Sequence, residues 1–422
     1  MEESEHRRRR RGIEPPSSRA QGLGPLIVVV VILLGVVLMG GRMAWTRFVD
    51  PVVVEKTSDS DAGAQKNENE KLEVERLVSA LTLEQKVAQL FVVRPESIVD
   101  VKTVVKAGAA MREALTNYPV GGLYYTSENL KSVTQTKEML RNSQNYTKDA
   151  CGLPLFTCVM EEGGSMVQVG AKEDFGVAKV EGMSEIGASG DPEQARAAAS
   201  AIGGYLVDMG FNVNLAPVAD IVSSSTSDLA KRSFGENKDT VASMVSAQVE
   251  GYTRAGVLCA VKHFPGIGNA EKDSRVKDLL NIQATKDELM QGQLVPFEAA
   301  IHEGVPIVMV GNVCCPNLEG SIGHPATIDS AVMEGLLRGE LGYDGVVMTD
   351  TFESDAITKS CKDSEQGVLA IKAGADLVFL PHDFAKAYRG LLDAVKKGEI
   401  SEERIDESLY RIAKAKLRYV VQ

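Results

Sequence analysis

The sequence VLCAVKHFPGIGNAEKDSRVKD, residues 257–278, begins with a short apolar run and continues into a loop rich in glycine and charged residues. The apolar run is too short for a buried helix and is bounded by glycine and proline, which is typical of a fully buried parallel strand. Lys262 and His263 stand at the carboxyl end of this strand. In an α/β barrel the loops after the strands converge at that end, so we expect both side chains at a functional site.

The loop after this strand reads KHFPGIG, then four residues, then DSR. It resembles the loop of family 3 glycoside hydrolases, specifically the bacterial β-N-acetylhexosaminidases, in which the pattern is KHFPGHG, four residues, then DSH. The resemblance implies that Lys262 and His263 hold the sugar and that Asp273 belongs to the catalytic aspartate–histidine pair. Two positions depart from the family pattern, because Ile267 replaces a histidine and Arg275 replaces the catalytic histidine itself.

Other predicted strands end in further motifs that resemble the same family. Glu162 lies in EEGG, similar to the family's D-x-E-G-G loop, which implies that it binds substrate, although Met160 stands at the aspartate that would hydrogen-bond the sugar. Arg232, in RSFG, resembles the arginine that grips the sugar, and Asp220 lies in the matching motif NVNLAPVADI. Asp350, in GYDGVVMTDTF, takes the place of the nucleophile, on which retaining glycosidases form a covalent ester. The alternative role for this aspartate is to cap the following helix.

The sequence does not identify the general acid that protonates the leaving group. An arginine, with a pKa above about 12, does not release a proton near neutral pH, so Arg275 is no substitute for histidine. Among the five histidines, His382 follows a predicted strand and is a candidate, although no family pattern gives it this role. The carboxylate alternatives, each of which needs a raised pKa to donate, are Glu161, Glu162, Glu271 and Asp273.

Apolar runs of strand length alternate with helical segments along the chain. Helices are predicted at 101–118, 192–208 and 238–255, and strands at an opening FVV and at 122–125, 155–160, 213–216, 257–261, 306–310, 346–349 and 377–380. This alternation predicts parallel βα units, and eight such units make a (β/α)8 barrel of the TIM type. An open doubly wound sheet is the alternative, but its glycine-rich phosphate turn with an acidic partner is missing.

The N-terminal part of the chain has the pattern of a membrane anchor. No charged residue lies between Arg19 and Arg42, and this apolar stretch has roughly the 20 residues that a bilayer requires. Arginines before it predict a cytoplasmic N-terminus and an exported remainder. A cleaved signal peptide is the alternative, but no clear small-residue cleavage site closes the run. The predicted regions are a basic cytoplasmic tail at 1–22, a transmembrane helix at 23–45, a flexible linker at 46–71 and the barrel domain at 72–422.

Charge and cysteine content exclude several classes of partner and cofactor. The formal net charge is −12 and arginine is concentrated near the N-terminus, so the exported domain is strongly acidic and is not expected to bind nucleic acid. The six cysteines form no CxxC pair, which favours buried free thiols over a zinc site or disulfides. No metal-ligand constellation or nucleotide motif is present in the sequence, and no cofactor is expected.

The resemblance covers about 72–419 and implies a specific function. It predicts a membrane-anchored, extracytoplasmic retaining glycoside hydrolase that acts on N-acetylglucosamine-containing glycans of the cell envelope, as in peptidoglycan turnover. The alternative is a catalytically impaired relative that binds a glycan or a protein partner. The retained motif residues favour the enzyme, whereas the substituted positions Met160, Ile267 and Arg275 favour the alternative.

Overall fold

The structure, a computed structural model, describes residues 59–268 and 279–420. Strands and helices alternate through these residues. The strands, in chain order, are β1 (Phe91–Val93), β2 (Gly122–Tyr124), β3 (Phe156–Val159), β4 (Val213–Asn214), β5 (Leu258–Phe264), β6 (Leu280–Asn281), β7 (Ile307–Val310), β8 (Val313–Cys314), β9 (Val346–Thr349) and β10 (Val378–Phe379).

Eight of these strands form one parallel sheet, in the order β10-β1-β2-β3-β4-β5-β7-β9. The two ends of this order approach each other, because Met348 of β9 forms a bridge with Leu377 and the Thr349 amide donates to the Leu377 carbonyl over 3.0 Å. The sheet is therefore a nearly closed barrel, and the predicted (β/α)8 architecture is confirmed. The short strands β6 and β8 pair with each other outside it.

Helices follow the barrel strands and cover them. The α-helices are Asp59–Ser79, Leu83–Ala88, Ala109–Asn117, Val133–Cys151, Met183–Ala188, Pro192–Met209, Lys238–Ala255, Lys286–Gln291, Val295–His302, Asp355–Thr358, Asp363–Ala373, Phe384–Lys396 and Glu402–Tyr419. A wider, π-type helix spans Ala331–Glu340, and 3₁₀ turns span Pro95–Ser97, Glu173–Phe175 and Ala326–Ile328.

The helix Lys238–Ala255 shows how local sequence delivers the central strand. Asn237 caps its start, since the side-chain oxygen accepts hydrogen bonds from the amides of residues 239 and 240 at 3.0 Å each. Gly256 ends it with a φ of 81°, a left-handed conformation that glycine adopts without steric cost. The chain then enters β5, in which all seven residues are buried, including Lys262 and His263.

Close packing against the preceding helix, Pro192–Met209, depends on small residues. A Cβ atom at Gly251 would lie 2.6 Å from the Arg196 carbonyl oxygen, and one at Gly203 would lie 2.6 Å from the Ala255 Cβ. Only glycine permits this distance between the two helices. The pair thereby covers the outer side of β4 and β5, which carry part of the site.

The C-terminal helix, Glu402–Tyr419, is anchored at the opposite end of the barrel by a buried lysine. Lys416 is fully buried, and its ammonium group donates to Gln89 Oε1 over 2.7 Å and lies 4.9 Å from the centroid of the Phe156 ring. Burial lowers the pKa of Lys416 to about 7. The Gln89 amide in turn donates to the Pro119 carbonyl over 2.7 Å, so the helix is tied to the segments that precede β1 and β2.

Predictions for the N-terminal region fall mostly outside the described residues. The predicted cytoplasmic tail, 1–22, and transmembrane helix, 23–45, lie outside them, as do residues 46–58 of the predicted linker. Among the helices of 59–268 and 279–420, none has both the length and the apolar character needed to cross a membrane. The first described helix, Asp59–Ser79, begins within the predicted linker at 46–71.

Candidate active site

A cavity of about 410 Å³ opens at the carboxyl ends of the barrel strands. Its polar lining includes Arg232, Lys262, His263, Asn312 and Asp350, and its apolar lining includes Met160, Met166, Leu215, Ile267, Phe379 and Leu380. A larger cavity, about 970 Å³, is lined by none of the predicted site residues that the structure describes. The smaller cavity is therefore the candidate active site.

Three predicted site residues form a buried ionic cluster beside the cavity. Glu162, after β3, accepts two hydrogen bonds of 2.7 Å from Arg232 Nε and Nη2 and lies 2.6 Å from Lys262 Nζ. Glu162 and Lys262 are each 2% exposed. Burial alone raises the pKa of Glu162, but the two cations outweigh it and lower this pKa to about 2. The Glu162 carboxylate therefore holds the Arg232 guanidinium and the Lys262 amino group in fixed positions as hydrogen-bond donors.

His263 is the fourth predicted site residue, and a buried carboxylate holds its ring. Its Nδ1 lies 2.8 Å from Asp220 Oδ2, and the other oxygen of Asp220 accepts from the Ile267 amide over 2.6 Å. Burial lowers the pKa of His263, against the opposing charge of Asp220. We therefore assign the neutral imidazole, with Nδ1 as donor to Asp220 and Nε2 as acceptor. The Lys262–His263 peptide bond is cis.

Asp350 follows β9 directly and lines the same cavity. Its backbone amide donates to the Val310 carbonyl over 2.8 Å, and its Oδ1 accepts from the Thr351 amide over 2.7 Å. Asn312 holds the loop from the other side by donating to the Thr351 carbonyl over 2.7 Å. The alternative role as a helix cap is not observed, because the next helix, Asp355–Thr358, is preceded by Ser354 as its N-cap residue.

Two charged residues at the rim of the cavity were not predicted from the sequence. Arg94, which follows β1, donates from Nε and Nη2 to the two carboxylate oxygens of Glu353, at 2.9 Å each. The guanidinium also lies 5.6 Å from the centroid of the Tyr124 ring. Arg94 directly follows β1, and Glu353 lies four residues after the end of β9. A charged residue shortly after a predicted barrel strand is the sequence signal that would have identified both.

The structure excludes several of the predicted alternatives for the general acid. Glu161 is fully buried, and its carboxylate accepts hydrogen bonds from the Gln168, Val169 and Gly170 amides at 2.6 to 2.9 Å and from Tyr205 Oη at 2.8 Å. Its role is to shape the loop after β3. Glu162 is held ionised by its two cations.

The remaining predicted candidates for the general acid are His382 and residues within 269–278, a segment that the structure does not describe. The side chain of His382 is 53% exposed, bonds to Asp363 over 2.9 Å and does not line the cavity. Glu271, Asp273 and Arg275 lie in 269–278, outside the described residues. The part of the chain that the structure describes therefore contains no assigned acid.

The ionic cluster leads to a stability prediction. Replacing Glu162 with Gln keeps the side-chain size but removes the buried carboxylate that Lys262 and Arg232 share, which is expected to destabilise the fold by about 3 kcal/mol. The carboxylate contributes stability above its unfolded pKa of about 4.3, and this contribution is lost as the pH falls toward the folded value of about 2. Urea unfolding at pH 7 and at pH 3 measures both effects.

The matched control for this prediction is Glu365→Gln, because Glu365 is about half exposed and pairs with the exposed Lys362. It is expected to change stability by less than about 0.5 kcal/mol. A Glu162→Gln protein as stable as the control at pH 7 would contradict the role assigned to the cluster.

The sequence matches a family model and several curated proteins. The model described as "Glycosyl hydrolase family 3 N terminal domain" matches residues 82–415. A protein of Pseudoalteromonas piscicida named "Beta-hexosaminidase A" is 30% identical over 333 residues, which cover 73% of this chain and 55% of that protein. An "Uncharacterized secreted glycosyl hydrolase" of Arthroderma benhamiae is 32% identical over 311 residues, which cover 69% of this chain and 83% of that protein.

Solved structures of two relatives have the same fold. A family 3 β-N-acetylglucosaminidase from a Paenibacillus strain superposes with a TM-score of 0.75 at 38% identity, covering 81% of this chain and 63% of that one. A β-N-acetylhexosaminidase from Beutenbergia cavernae gives a TM-score of 0.69 at 27% identity, covering 80% of this chain and 98% of that one. The chain thus spans less than two thirds of the Pseudoalteromonas and Paenibacillus proteins.

Proposed function

Because the chain belongs to glycosyl hydrolase family 3, through its match over residues 82–415, we propose that it is a retaining glycoside hydrolase. The proposed substrates are N-acetylglucosamine-containing glycans of the cell envelope, as in peptidoglycan turnover. The observation that carries the proposal is the shared cavity, in which Asp350 lies with Lys262, His263 and Arg232 at the carboxyl ends of the strands. The names of the relatives support the sugar class, since they are called hexosaminidases or N-acetylglucosaminidases.

Each described site residue has a role in the proposed reaction. Asp350 attacks the anomeric carbon, the bond from that carbon to the leaving oxygen breaks, and a glycosyl ester forms. The departing oxygen takes up a proton, from the solvent where no side chain supplies one. Water then attacks the same carbon, gives up a proton to the solvent, releases the sugar and regenerates the carboxylate. Lys262 and Arg232, held by Glu162, donate hydrogen bonds to sugar hydroxyl groups, and Asp220 orients His263 toward the same task. These groups are in place before the substrate arrives, so little reorganisation is needed.

The protonation of the leaving group is tested by a series of aryl and alkyl N-acetylglucosaminides of increasing leaving-group pKa. If Arg275 leaves the site without an acid, the native chain is expected to show a steep fall of kcat/KM along the series. Arg275→His is then expected to raise kcat/KM for the poor leaving groups by roughly 10² to 10⁴, with little change for activated ones. Arg275→Gln, which removes the charge without supplying an acid, is the control and is expected to give no such rescue.

A native protein that is already fast on unactivated glycosides would contradict the missing-acid explanation.

A second candidate function, a glycan-binding relative with impaired catalysis, is favoured by the apolar side chains at Met160 and Ile267, which line the cavity. If the chain has that function, the native protein is expected to bind the same glycosides but to hydrolyse none of them, including those with activated leaving groups.

We also propose that the domain is held outside the cytoplasm by the predicted transmembrane helix at 23–45. The support is the uncharged stretch between Arg19 and Arg42 and the arginines before it. Protease added to intact cells is expected to digest the domain after residue 50, and a C-terminal tag is expected to disappear while an N-terminal tag remains on a short fragment. Digestion that requires lysis of the cells would contradict this orientation.

A further inference from the structure

The loop after β3 places two methionines in the wall of the cavity. Met160 and Met166 both line it and both are partly buried. Backbone hydrogen bonds fix the turn between them, because the Glu162 amide donates to the Met166 carbonyl over 2.8 Å and the Met166 amide donates to the Gly163 carbonyl over 3.1 Å. Leu215, which follows the neighbouring strand β4, extends the same wall. This side of the cavity is therefore apolar and is held by the backbone.

The carboxylates of the same loop are already engaged with other groups. Both oxygens of Glu161 accept hydrogen bonds from loop amides, and Tyr205 adds a further one. Both oxygens of Glu162 accept from Arg232, and one of them also binds Lys262. A thioether sulfur is only a weak acceptor. The loop after β3 therefore presents an apolar surface of carbon and sulfur atoms to a bound ligand, and it presents no strong hydrogen-bond acceptor from these side chains.

The donors and acceptors of the cavity come from other strands. Lys262 and His263 belong to β5, Arg232 to the loop after β4, and Asp350 follows β9. A sugar bound with its anomeric carbon near Asp350 satisfies its hydroxyl groups on these residues. A hydroxyl directed at Met160 and Met166 instead would lose its hydrogen bonds to water without replacement.

We propose that the cavity takes a glycoside whose sugar turns a deoxy carbon, in place of a free hydroxyl, toward Met160 and Met166. The proposal rests on the proposed function, because it takes the cavity to be the sugar site. It makes Met160 a residue that determines specificity. An apolar pocket discriminates against an added hydroxyl by about 10²-fold at most, so we expect a preference of roughly 10- to 100-fold.

The test compares the full native chain with Met160→Leu and Met160→Asn, two substitutions of nearly equal size that differ in polarity. The substrates are the 4-nitrophenyl β-glycosides of N-acetylglucosamine and of its 3-, 4- and 6-deoxy derivatives. In the native and Met160→Leu proteins, at least one deoxy derivative is expected to exceed the N-acetylglucosamine parent in kcat/KM by roughly 10- to 100-fold. In Met160→Asn that ratio is expected to fall at least tenfold, because the amide bonds the hydroxyl.

Two outcomes overturn the proposal: a native preference for the hydroxyl-bearing sugar at every position, or a ratio that is the same in all three proteins. Complete absence of turnover in the native chain counts against the proposed function instead. The comparison is then made on binding, by calorimetry with the corresponding methyl glycosides, and the same ranking with the same dependence on residue 160 supports the proposal. Failure of every methyl glycoside to bind overturns it.

Discussion

Asp350→Asn is expected to lower kcat/KM for an activated aryl N-acetylglucosaminide by roughly 10⁴-fold or more. Asparagine fills the same space at the end of β9 and its amide oxygen still accepts from the Thr351 amide, so the fold is expected to persist. What the substitution removes is the carboxylate that forms the glycosyl ester. An activated leaving group needs no acid, so the loss reports on the nucleophile alone.

The control is Asp355→Asn, the same chemical change on an exposed residue at the start of the next helix, which is expected to leave activity within about twofold. A second measurement is independent of rates. A 2-fluoro glycoside with an activated leaving group is expected to label the native protein on the peptide that contains Asp350 and to leave Asp350→Asn unlabelled. Labelling of another carboxylate, or undiminished turnover by the variant, would remove Asp350 from the mechanism.

The barrel was predictable from the sequence because its strands are short apolar runs at regular intervals. The ends of these elements were less predictable. The central strand was predicted at 257–261 but extends over Leu258–Phe264, since Lys262 and His263 are buried against Glu162 and Asp220. Those partners lie far away in the sequence, and no local pattern shows that a charged residue has a buried counter-charge.

Helix boundaries show the same limit. The helix predicted at 101–118 is observed only at Ala109–Asn117, because Gly108 adopts an extended conformation with a φ of −100° and a ψ of −155° and serves as the N-cap residue. Residues 101–107 run outside the helix, although their sequence, VKTVVKA, contains no proline or glycine. Val104 within them is bonded through its amide to Glu96, a contact that depends on the tertiary fold.

For the candidate site, the motifs predicted which residues matter but not how they are paired. The structure brings Arg232, Lys262, His263 and Asp350 to one cavity, with Glu162 buried beside it, whereas Asp273 lies outside the described residues. The motifs alone do not show that Glu162 is held by two cations and is thus unavailable to a ligand. The motifs also do not show that Met166 lines the cavity, because its position in the cavity wall depends on the turn that follows Glu162.

Lys416→Met is expected to stabilise the fold below pH 7, by roughly 2 to 4 kcal/mol. Burial lowers the pKa of Lys416 to about 7, whereas an unfolded lysine titrates near 10.4. Between these values the unfolded chain binds more protons than the folded one, so the free energy of unfolding rises with pH by about 1.4 kcal/mol per unit. Below pH 7 the native protein bears the full cost of burying the charge, roughly 4 to 5 kcal/mol. Methionine removes this cost, less about 1 to 2 kcal/mol for the hydrogen bond to Gln89 that is lost.

The decisive measurement is the change in the free energy of unfolding in urea between pH 6.5 and pH 9.5, because it does not depend on the lost hydrogen bond. The native protein and the control Lys414→Met, a partly exposed position on the same helix, are expected to gain about 3 kcal/mol more than Lys416→Met over this range. Burial also raises the pKa of thiols such as Cys158, which lowers stability in alkali, but this contribution is common to all three proteins and cancels in the comparison. Equal pH dependence in the three proteins would mean that Lys416 stays charged in the folded state, with its ammonium stabilised by the Gln89 carbonyl and the Phe156 ring.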